Sequence, residues 1–434
     1  MELKIDTDMK LRIIDALEEA RARTDRLLDH IDDERLMKQH NRLMSPLVWD
    51  AGHIGVFEEL WLVQNLTGSA PVDDERMHLY DAFDNPRWAR GSLPLLNRSE
   101  VAGYRDVVRR RAVEILDEVD LEGDDPLTRG GFVYDMIVQH EHQHNETILQ
   151  ALQLLPGGYK PELPDLPSGR EVALDRVPVA AGDYPIGCDS HEPYDNEHPR
   201  HEVRLPAYDI DRFPVTCGQF LSFIDDGGYT RQDLWTAAGW AWRQEEDAVA
   251  PKYWRQAGDG WVTDRFGHTV PVEQDHPVMH VSFHEAEAYC RWAGRRLPSE
   301  FEWEVAAAWD PETQTPRRYP WGEEPPTPEL ANLDQRMFGT VPVGAYPQGA
   351  SALGCEQMLG DVYEWTSSDF VGYPGYTSFP YKEYSEVFFG DEHKVLRGAS
   401  WATRPRVARN TFRNWDYPIR RQIFCGLRTA GDAQ

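Results

Sequence analysis

The chain has 434 residues, which is enough for two or three domains with a sizeable core. It carries 74 acidic against 45 basic residues, and the resulting net charge of −29 argues against nucleic acid and anionic membranes as partners. Five scattered cysteines, no apolar signal core at residues 1–6 and no apolar run of about 18 residues predict a cytoplasmic protein. We expect it to be a monomer that acts on small molecules.

The first part of the chain, up to about residue 155, has helical periodicity. Four helices are predicted: Lys10 to about Ile31, one that starts at Ser45, Ser99 to about Val119, and about Gly131 to Leu155. Ser45 would be the N-cap of the second helix, with Pro46 as its first residue, and Ser99 would cap the third. Four helices of this length predict a bundle in which inward side chains from separate helices can hold a metal.

Residues 140–144 read His-Glu-His-Gln-His within the fourth predicted helix. At about 100° per residue, His140 and His144 are one turn apart and roughly 40° apart around the axis, so both can bind one divalent metal. His142 is about 200° from His140 and is predicted to face away, so its identity should be neutral. The alternative is a solvated helix that happens to be rich in histidine. Mostly apolar neighbours argue against it, because buried imidazoles need partners.

A third candidate ligand lies in the second predicted helix. His53 falls between Trp49 and Phe57 on an apolar face and is therefore predicted to point inward. A hydrogen-bonded core histidine is the alternative for this position. Three neutral imidazoles would leave open coordination positions, as a catalytic metal site requires.

The same five residues also match the zinc-protease signature His-Glu-x-x-His, in which the Glu activates water. The elongated form of that signature needs Gly and a third His, and Thr147 and Gln150 occupy those places. The other form needs a Glu from a later helix, but residues 156–158 read Pro-Gly-Gly and begin a Pro-rich stretch. The protease interpretation is therefore weak.

Residues 156–175 are rich in Pro and Gly and are predicted to link a domain of residues 1–155 to one of residues 176–434. Beyond this linker, strand-like segments are short and Gly, Pro and Trp are frequent. Helical periodicity is clear only from Thr216 to about Ile224 and from His284 to about Ala293. These features predict an α+β domain with much irregular backbone, held together by aromatic packing.

A run of motifs in the second part is similar to the formylglycine-generating-enzyme domain, also called the sulfatase-modifying-factor domain. The matching segments are residues 213–216, 277–282, 288–304, 319–322, 360–365 and 396–401. The resemblance implies a fold related to C-type lectins and rich in irregular loops. Active members of that family bind copper through a pair of cysteines near the carboxyl end. Residues 400–414 contain no Cys, so the resemblance predicts the fold and not that activity.

The first part resembles a DinB-like four-helix bundle, and the fusion as a whole resembles the sulfoxide synthases of ergothioneine biosynthesis. The matching segments are residues 49–53, 140–144 and 412–424. Enzymes of this family use non-haem Fe(II) and O2 to join a thiol to imidazole C2 of hercynine, the trimethylated betaine of histidine. The resemblance thus implies a dioxygenase that takes hercynine and γ-glutamylcysteine as substrates, uses Fe(II) as cofactor and forms a sulfoxide.

The resemblance also implies roles for the histidine-rich segments. His53, His140 and His144 would hold Fe(II), although Zn(II) fits the same donor atoms. Gln143 would hydrogen-bond the imidazole of hercynine.

Further substrate contacts are implied near the carboxyl end. Asn414 and Trp415 match residues around the trimethylammonium group, which needs an aromatic face or oxygen dipoles. Asp416 and Arg420 match groups that pair with the amino and carboxylate ends of the γ-glutamyl moiety. The alternative for this pair is a surface salt bridge between residues i and i+4.

Two further assignments follow from the resemblance. An arginine of the first part would also bind the thiol substrate, with Arg90 favoured over Arg87. Tyr381 matches the family's catalytic tyrosine and would act as a proton donor in the oxygen reaction. Tyr376 and Tyr373 are nearby alternatives, and Tyr381 could instead only pack in an aromatic loop.

Three other functions remain open at this point. A zinc-dependent thiol transferase is the main alternative, because DinB-like bundles also place three histidines around zinc. The lectin-like half could be a non-enzymatic binding module. An ovothiol-type enzyme would join free cysteine to a different position of the imidazole ring. The identity of the thiol substrate, γ-glutamylcysteine or cysteine, therefore stays open.

Overall fold

A computed structural model describes residues 2–155, 157–192 and 194–433 of the chain. The chain divides into two compact units, Met1–Lys160 and Pro161–Gln434, which are described separately below. Among the described residues, no helix combines the length and the apolar character that crossing a membrane would need.

The first unit is helical. Its elements are α1 (Glu2–Leu28), α2 (Asp33–Met37), α3 (Leu47–Glu58), a π-helical segment (Glu59–Gln64), α4 (Asn65–Thr67), α5 (Asp74–Leu79), a 3-10 turn (Arg87–Ser92), α6 (Arg98–Glu118), a 3-10 turn (Arg129–Gly131) and α7 (Phe132–Gln153). Helix α1 packs against α6 and α7, and α3 packs against the same two helices. The four long helices therefore form the predicted four-helix bundle.

Two helix starts differ from the predicted ones. Helix α3 has Pro46 rather than Ser45 at its N-cap, because the extended backbone of Pro46 (φ −55°, ψ 141°) precedes the first helical turn. Helix α6 is capped by Asn97 rather than Ser99. The Asn97 side chain accepts a hydrogen bond from the Glu100 N–H, and the Glu100 carboxylate accepts one from the Asn97 N–H. This capping box satisfies two amides that would otherwise lack partners.

The second unit combines short strands, short helices and irregular segments. Its helices are α8 (Cys217–Asp225), α9 (Ala237–Glu245), α10 (Phe283–Trp292) and α11 (Glu300–Ala308). Its strands are β1 (Arg176–Val179), β2 (Gly182–Ile186), β3 (His201–Leu205), β4 (Tyr208–Asp211), β5 (Trp254–Ala257), β6 (Gly260–Arg265), β7 (His268–Pro271), β8 (Trp309–Asp310), β9 (Thr315–Pro316), β10 (Tyr363–Phe370), β11 (Gly390–Gly398), β12 (Asn414–Asp416), β13 (Cys425–Gly426) and β14 (Ala430–Asp432). The predicted class, a helical bundle followed by an α+β domain rich in irregular backbone, is confirmed.

The strands form several small sheets. One four-stranded sheet has the order β12-β11-β10-β13, and β1, β4 and β14 form a three-stranded sheet. Strand β12 is at an edge of the four-stranded sheet and pairs antiparallel with β11. Its register places Asn414 opposite Leu396 and Asp416 opposite Lys394.

Helices α8 and α10 were predicted, whereas α9 and α11 were missed. Helix α11 shows why: nearly all of its residues are buried, so it has no alternation of polar and apolar faces to reveal a helical period. Its local signal is the capping box of Ser299 and Glu302, which lies inside one of the family motifs.

Buried ion pairs hold the irregular segments of the second unit together. Four arginines with at most 1% exposure each pair with a buried glutamate: Arg397 with Glu304, Arg409 with Glu197, Arg413 with Glu300, and Arg428 with Glu364. Each pair joins segments that are far apart in sequence. Removing one partner would leave a buried charge without compensation, which is strongly destabilising.

Candidate functional site

Three histidines of the first unit converge. His53 of α3 meets His140 and His144 of α7, and one ligand nitrogen from each lies within 4.8 Å of the others. The ring centroids of His140 and His144 are 4.6 Å apart, and that of His53 is 5.2 and 4.8 Å from them. The spacing along α7 explains the first pair. The packing of α3 against α7 supplies the third ring.

The environment keeps the imidazoles of His53 and His140 neutral. Burial lowers the pKa of His53 and of His140 well below the usual value, and the neighbouring His144 lowers both further. Metal ligands must be neutral imidazoles, and protons compete with the metal for the same nitrogen. The cluster therefore favours a metal cation over protonation at neutral pH.

Two of the rings are oriented by acceptors on their Nδ1 atoms. His144 Nδ1 lies 3.0 Å from Asp50 Oδ1, and His53 Nδ1 lies 2.8 Å from the carbonyl oxygen of Tyr80. Each contact leaves Nε2 as the ring nitrogen that could bind a metal, which is the usual arrangement in metal sites. Sequence reasoning missed Asp50, although it lies inside the 49–53 motif and three residues before His53.

Aromatic rings stack on two of the three histidines. The Trp49 ring stacks on His53 at 4.8 Å and 11°, and the Phe57 ring stacks on His140 at 3.8 Å and 22°. The Arg90 guanidinium lies over the Trp49 ring at 3.5 Å. The stacking contacts limit rotation of the His53 and His140 imidazoles and so keep their ligand atoms in place.

The residues present fit a divalent transition metal. Three neutral imidazoles, two of them oriented by oxygen acceptors, form a donor set that suits Fe(II) as well as Zn(II). Three protein ligands also leave positions for exogenous ligands, as in catalytic sites.

Asp50 provides a direct test of this arrangement. Asp50→Asn keeps the shape of the side chain but removes the charge that faces His144, so metal affinity should fall about 10- to 100-fold. Anaerobic Fe(II) or Zn(II) titration of the purified chain measures the effect. Asp15→Asn removes the same charge from an exposed position on α1 and should leave the affinity unchanged. Equal affinities of the Asp50 variant and the wild type would show that Asp50 does not orient a ligand.

Glu141 and His142 of the His-Glu-His-Gln-His motif point away from the cluster. Glu141 is fully buried and accepts hydrogen bonds from Thr24 Oγ1 at 2.7 Å and from Arg105 Nη2 at 3.3 Å. A protease would need this carboxylate beside the metal-bound water, so its pairing with α1 and α6 argues further against that function. His142 is 2% exposed, and its Nε2 lies 3.8 Å from Glu19 of α1, which confirms its predicted facing.

The remaining predicted residues of the first unit differ in environment. Gln143 is partly buried beside His144 on α7. Arg90 is buried, and its guanidinium donates to Ser45 Oγ and to the carbonyl oxygen of Asn85, both at 2.8 Å. Burial lowers the pKa of Arg90 to about 9. Arg87 is exposed. The preference for Arg90 over Arg87 as a substrate ligand stays a prediction.

In the second unit, strand β12 presents Asn414, Trp415 and Asp416, all of them partly buried. The Trp415 ring stacks on Phe370 at 4.1 Å and 8°, and the edge of Tyr384 meets it at 5.7 Å and 89°. Neighbouring rings thus fix the orientation of the Trp415 indole.

Asp416 and Arg420 lie close together without a helix between them. Arg420 Nε is 3.5 Å from Asp416 Oδ2. The Arg420 N–H donates a hydrogen bond to the carbonyl oxygen of Tyr417 at 3.0 Å, so the backbone forms a turn between the two residues. Arg420 is only 3% exposed. The pair is thus an i, i+4 ion pair as in the alternative, but Arg420 is buried rather than at the surface, and the role of the pair in substrate binding stays a prediction.

The three candidate tyrosines have different partners. Tyr376 donates its hydroxyl hydrogen to Asp195 Oδ2 at 2.6 Å, and the buried Tyr373 donates to Glu300 Oε2 at 3.4 Å. Tyr381 is partly buried, and its ring centroid is 6.3 Å from that of Tyr384, which also contacts Trp415. Burial raises the pKa of Tyr381 well above its usual value, so the phenol keeps its proton.

Models of two known domain families match the two parts of the chain. A model of the DinB superfamily matches residues 16–148, and a model of the sulfatase-modifying factor enzyme 1-like domain matches residues 165–433. The five cysteines are all buried and free. The protein is thus a fusion of a DinB-type bundle with a sulfatase-modifying-factor domain.

Curated relatives define the family further. The hercynine oxygenase of Mycolicibacterium smegmatis is 48% identical and covers 97% of this chain and 98% of its own. That of Mycobacterium tuberculosis is also 48% identical, with 96% and 97% covered. The formylglycine-generating enzyme of the latter organism is 33% identical but covers only 45% of this chain and 74% of its own. The chain belongs to the hercynine oxygenase family.

Proposed function

We propose that the protein is an Fe(II)- and O2-dependent oxygenase of ergothioneine biosynthesis that joins γ-glutamylcysteine to hercynine. The new C–S bond replaces the imidazole C2–H and the thiol S–H. One oxygen atom of O2 becomes the sulfoxide oxygen, and the other leaves as water with both hydrogens. The observation that carries this proposal is the convergence of His53, His140 and His144 in a chain that is 48% identical to hercynine oxygenases along nearly its whole length.

His53, His140 and His144 would hold the metal. Bound Fe(II) would supply open coordination positions and the redox chemistry by which O2 reacts with a thiolate. Burial keeps the imidazoles of His53 and His140 neutral, and the carboxylate of Asp50 and the carbonyl of Tyr80 orient His144 and His53. Gln143, which precedes His144, would donate a hydrogen bond to the imidazole of hercynine.

The second unit would supply most of the substrate recognition. Trp415 offers an aromatic face and Asn414 an amide oxygen, the two kinds of group that attract a trimethylammonium cation. Asp416 would bind the ammonium end of the γ-glutamyl group and Arg420 its carboxylate. Arg90, or the exposed Arg87, would bind a further carboxylate of the thiol substrate.

Tyr381 would donate a proton during the reduction of O2. Its elevated pKa keeps the phenol protonated, so the phenol has a proton to donate. Tyr381→Phe should therefore still consume O2 but shift the product from the sulfoxide conjugate toward γ-glutamylcysteine sulfinic acid, which mass spectrometry can quantify. Substrate binding should survive, because the ring is retained.

A matched control for Tyr381→Phe is Tyr184→Phe, which removes a hydroxyl that donates to the Ala180 carbonyl between β1 and β2. That variant should keep the product ratio of the wild type. If Tyr381→Phe also matches the wild type in rate and product ratio, Tyr381 is a packing residue.

The decisive experiment is anaerobic reconstitution with Fe(II), followed by O2 and hercynine plus either γ-glutamylcysteine or cysteine. The proposal expects O2 consumption and the mass of the sulfoxide conjugate with γ-glutamylcysteine. A parallel reconstitution with Zn(II) should be inactive. Activity with zinc alone and without O2 uptake would instead establish a thiol transferase.

A further inference from the structure

We infer that Asp195 is a positioning residue that fixes the loop of residues 376–385, the segment that carries Tyr381. This inference rests on the proposed role of Tyr381 in product control. It concerns contacts within the second unit only, and it adds to the site a residue more than 180 positions away in sequence.

The carboxylate of Asp195 accepts three hydrogen bonds from this loop. Oδ2 accepts from the Tyr376 hydroxyl at 2.6 Å and from the Phe379 N–H at 3.2 Å, and Oδ1 accepts from the Ser385 hydroxyl. Two donors precede Tyr381 and one follows it. The Asp195 side chain therefore bonds to loop residues on both sides of Tyr381.

The loop of residues 376–385 is flanked by little regular secondary structure. Between β10, which ends at Phe370, and β11, which begins at Gly390, the only regular element among the described residues is a short 3-10 turn, Glu386–Phe388. Loops without a sheet or helix open locally at low cost unless side chains hold them. The bonds to Asp195 are thus specific restraints on residues 376–385, beside ring contacts such as the stacking of Tyr384 on Tyr194 at 4.5 Å.

The surroundings of Asp195 also indicate a role beyond charge pairing. Asp195 is 4% exposed, and among the described residues no Lys or Arg lies within ion-pair distance of its carboxylate. Its neighbour Glu197, by contrast, pairs with Arg409. Burying a carboxylate is costly, and here the compensation comes from the three donors of the 376–385 loop. The ordering of that loop and the burial of Asp195 therefore depend on each other.

The same turn, Asp195–Glu197, reaches the segment that leads into β12. Asn196 donates to Ser385 Oγ at 3.0 Å, and its carbonyl oxygen accepts from Arg413 Nη1 at 2.7 Å. Arg413 directly precedes Asn414. The turn thus joins the loop of Tyr381 to the strand of Asn414 and Trp415, and it can hold the proton donor at a constant position relative to the proposed hercynine site.

Two variants test the inference in the full-length protein. Ser385→Ala removes one oxygen atom and one of the three donors, and Asp195→Asn keeps the side-chain size but weakens all three bonds. Both should accelerate amide hydrogen exchange within residues 376–385 by about tenfold, as expected for the loss of a hydrogen bond to a charged acceptor. Both should also shift the product toward the sulfinic acid, while KM for hercynine and Fe(II) affinity stay within about twofold of the wild type.

The control variant is Thr411→Val. Thr411 Oγ1 donates to Glu197 Oε2 at 2.5 Å, so this change removes one hydroxyl donor to a carboxylate of the same turn but not to Asp195. Exchange within residues 376–385 and the product ratio should match the wild type. Because Ser385→Ala is a minimal change, the test remains available if Asp195→Asn does not fold.

The outcomes separate this inference from the proposed role of Tyr381. If Tyr381→Phe leaves the product ratio unchanged, that role is wrong whatever Asp195 does. If Tyr381→Phe changes the ratio but Ser385→Ala and Asp195→Asn do not, the positioning role of Asp195 is overturned, even when loop exchange accelerates. In the Tyr381→Phe background, Ser385→Ala should cause no further shift of the ratio, because both changes act through the same phenol.

Discussion

Replacement of His53, His140 or His144 by Ala should abolish Fe(II) binding and all oxygenase activity. Each change removes one of only three protein ligands, and the remaining two imidazoles cannot hold the metal in an ordered site. Iron bound after anaerobic reconstitution and O2 uptake with both substrates measure the effect. Circular dichroism should show an intact bundle, because the rings are only partly buried and α3 and α7 keep their apolar contacts.

The matched control is His142→Gln, within the same motif. The His142 ring faces Glu19 of α1 and is outside the cluster, so this variant should bind iron and turn over at close to the wild-type level. Glutamine keeps a buried polar group that can interact with Glu19. Equal loss of iron from His142→Gln and His140→Ala would mean that the cluster is not the metal site.

Arg420→Ala should raise KM for γ-glutamylcysteine far more than KM for hercynine. Arg420 is nearly fully buried with Asp416 as its carboxylate neighbour, and truncating one partner of a buried charge pair costs roughly 2–5 kcal/mol. That range corresponds to an increase of about 30-fold or more in KM for the thiol. Steady-state kinetics with each substrate varied in turn measure the two constants.

Arg421→Ala is the control for this prediction. Arg421, the next residue, donates to Glu285 and to the carbonyl oxygen of Ala250, so its loss should lower the melting temperature rather than affect thiol binding. If Arg420→Ala leaves thiol kinetics unchanged, the γ-glutamyl group binds elsewhere and the Asp416–Arg420 pair is structural. If both KM values rise equally, the pair shapes the site as a whole and does not select the thiol.

Local periodicity explains how much of the metal site the sequence could predict. His140 and His144 are one helical turn apart, and a 3.6-residue period places them on one face whatever surrounds the helix. The inward facing of His53 follows from the same argument applied to α3. The hydrogen-bond partners of these rings do not follow from local periodicity. Asp50 is 94 residues from His144 in sequence, and the Tyr80 carbonyl meets His53 only because the intervening chain folds back.

In the second unit, the sequence determined the fold class through its family motifs and the helices α8 and α10 through their amphipathic period. It could not reveal α11, because a helix buried on all sides has no polar face. Nor could it reveal that Tyr376 donates to Asp195. Only the tertiary structure shows this contact, because the two residues are 181 positions apart and a pairing over such a distance leaves no local pattern in the chain.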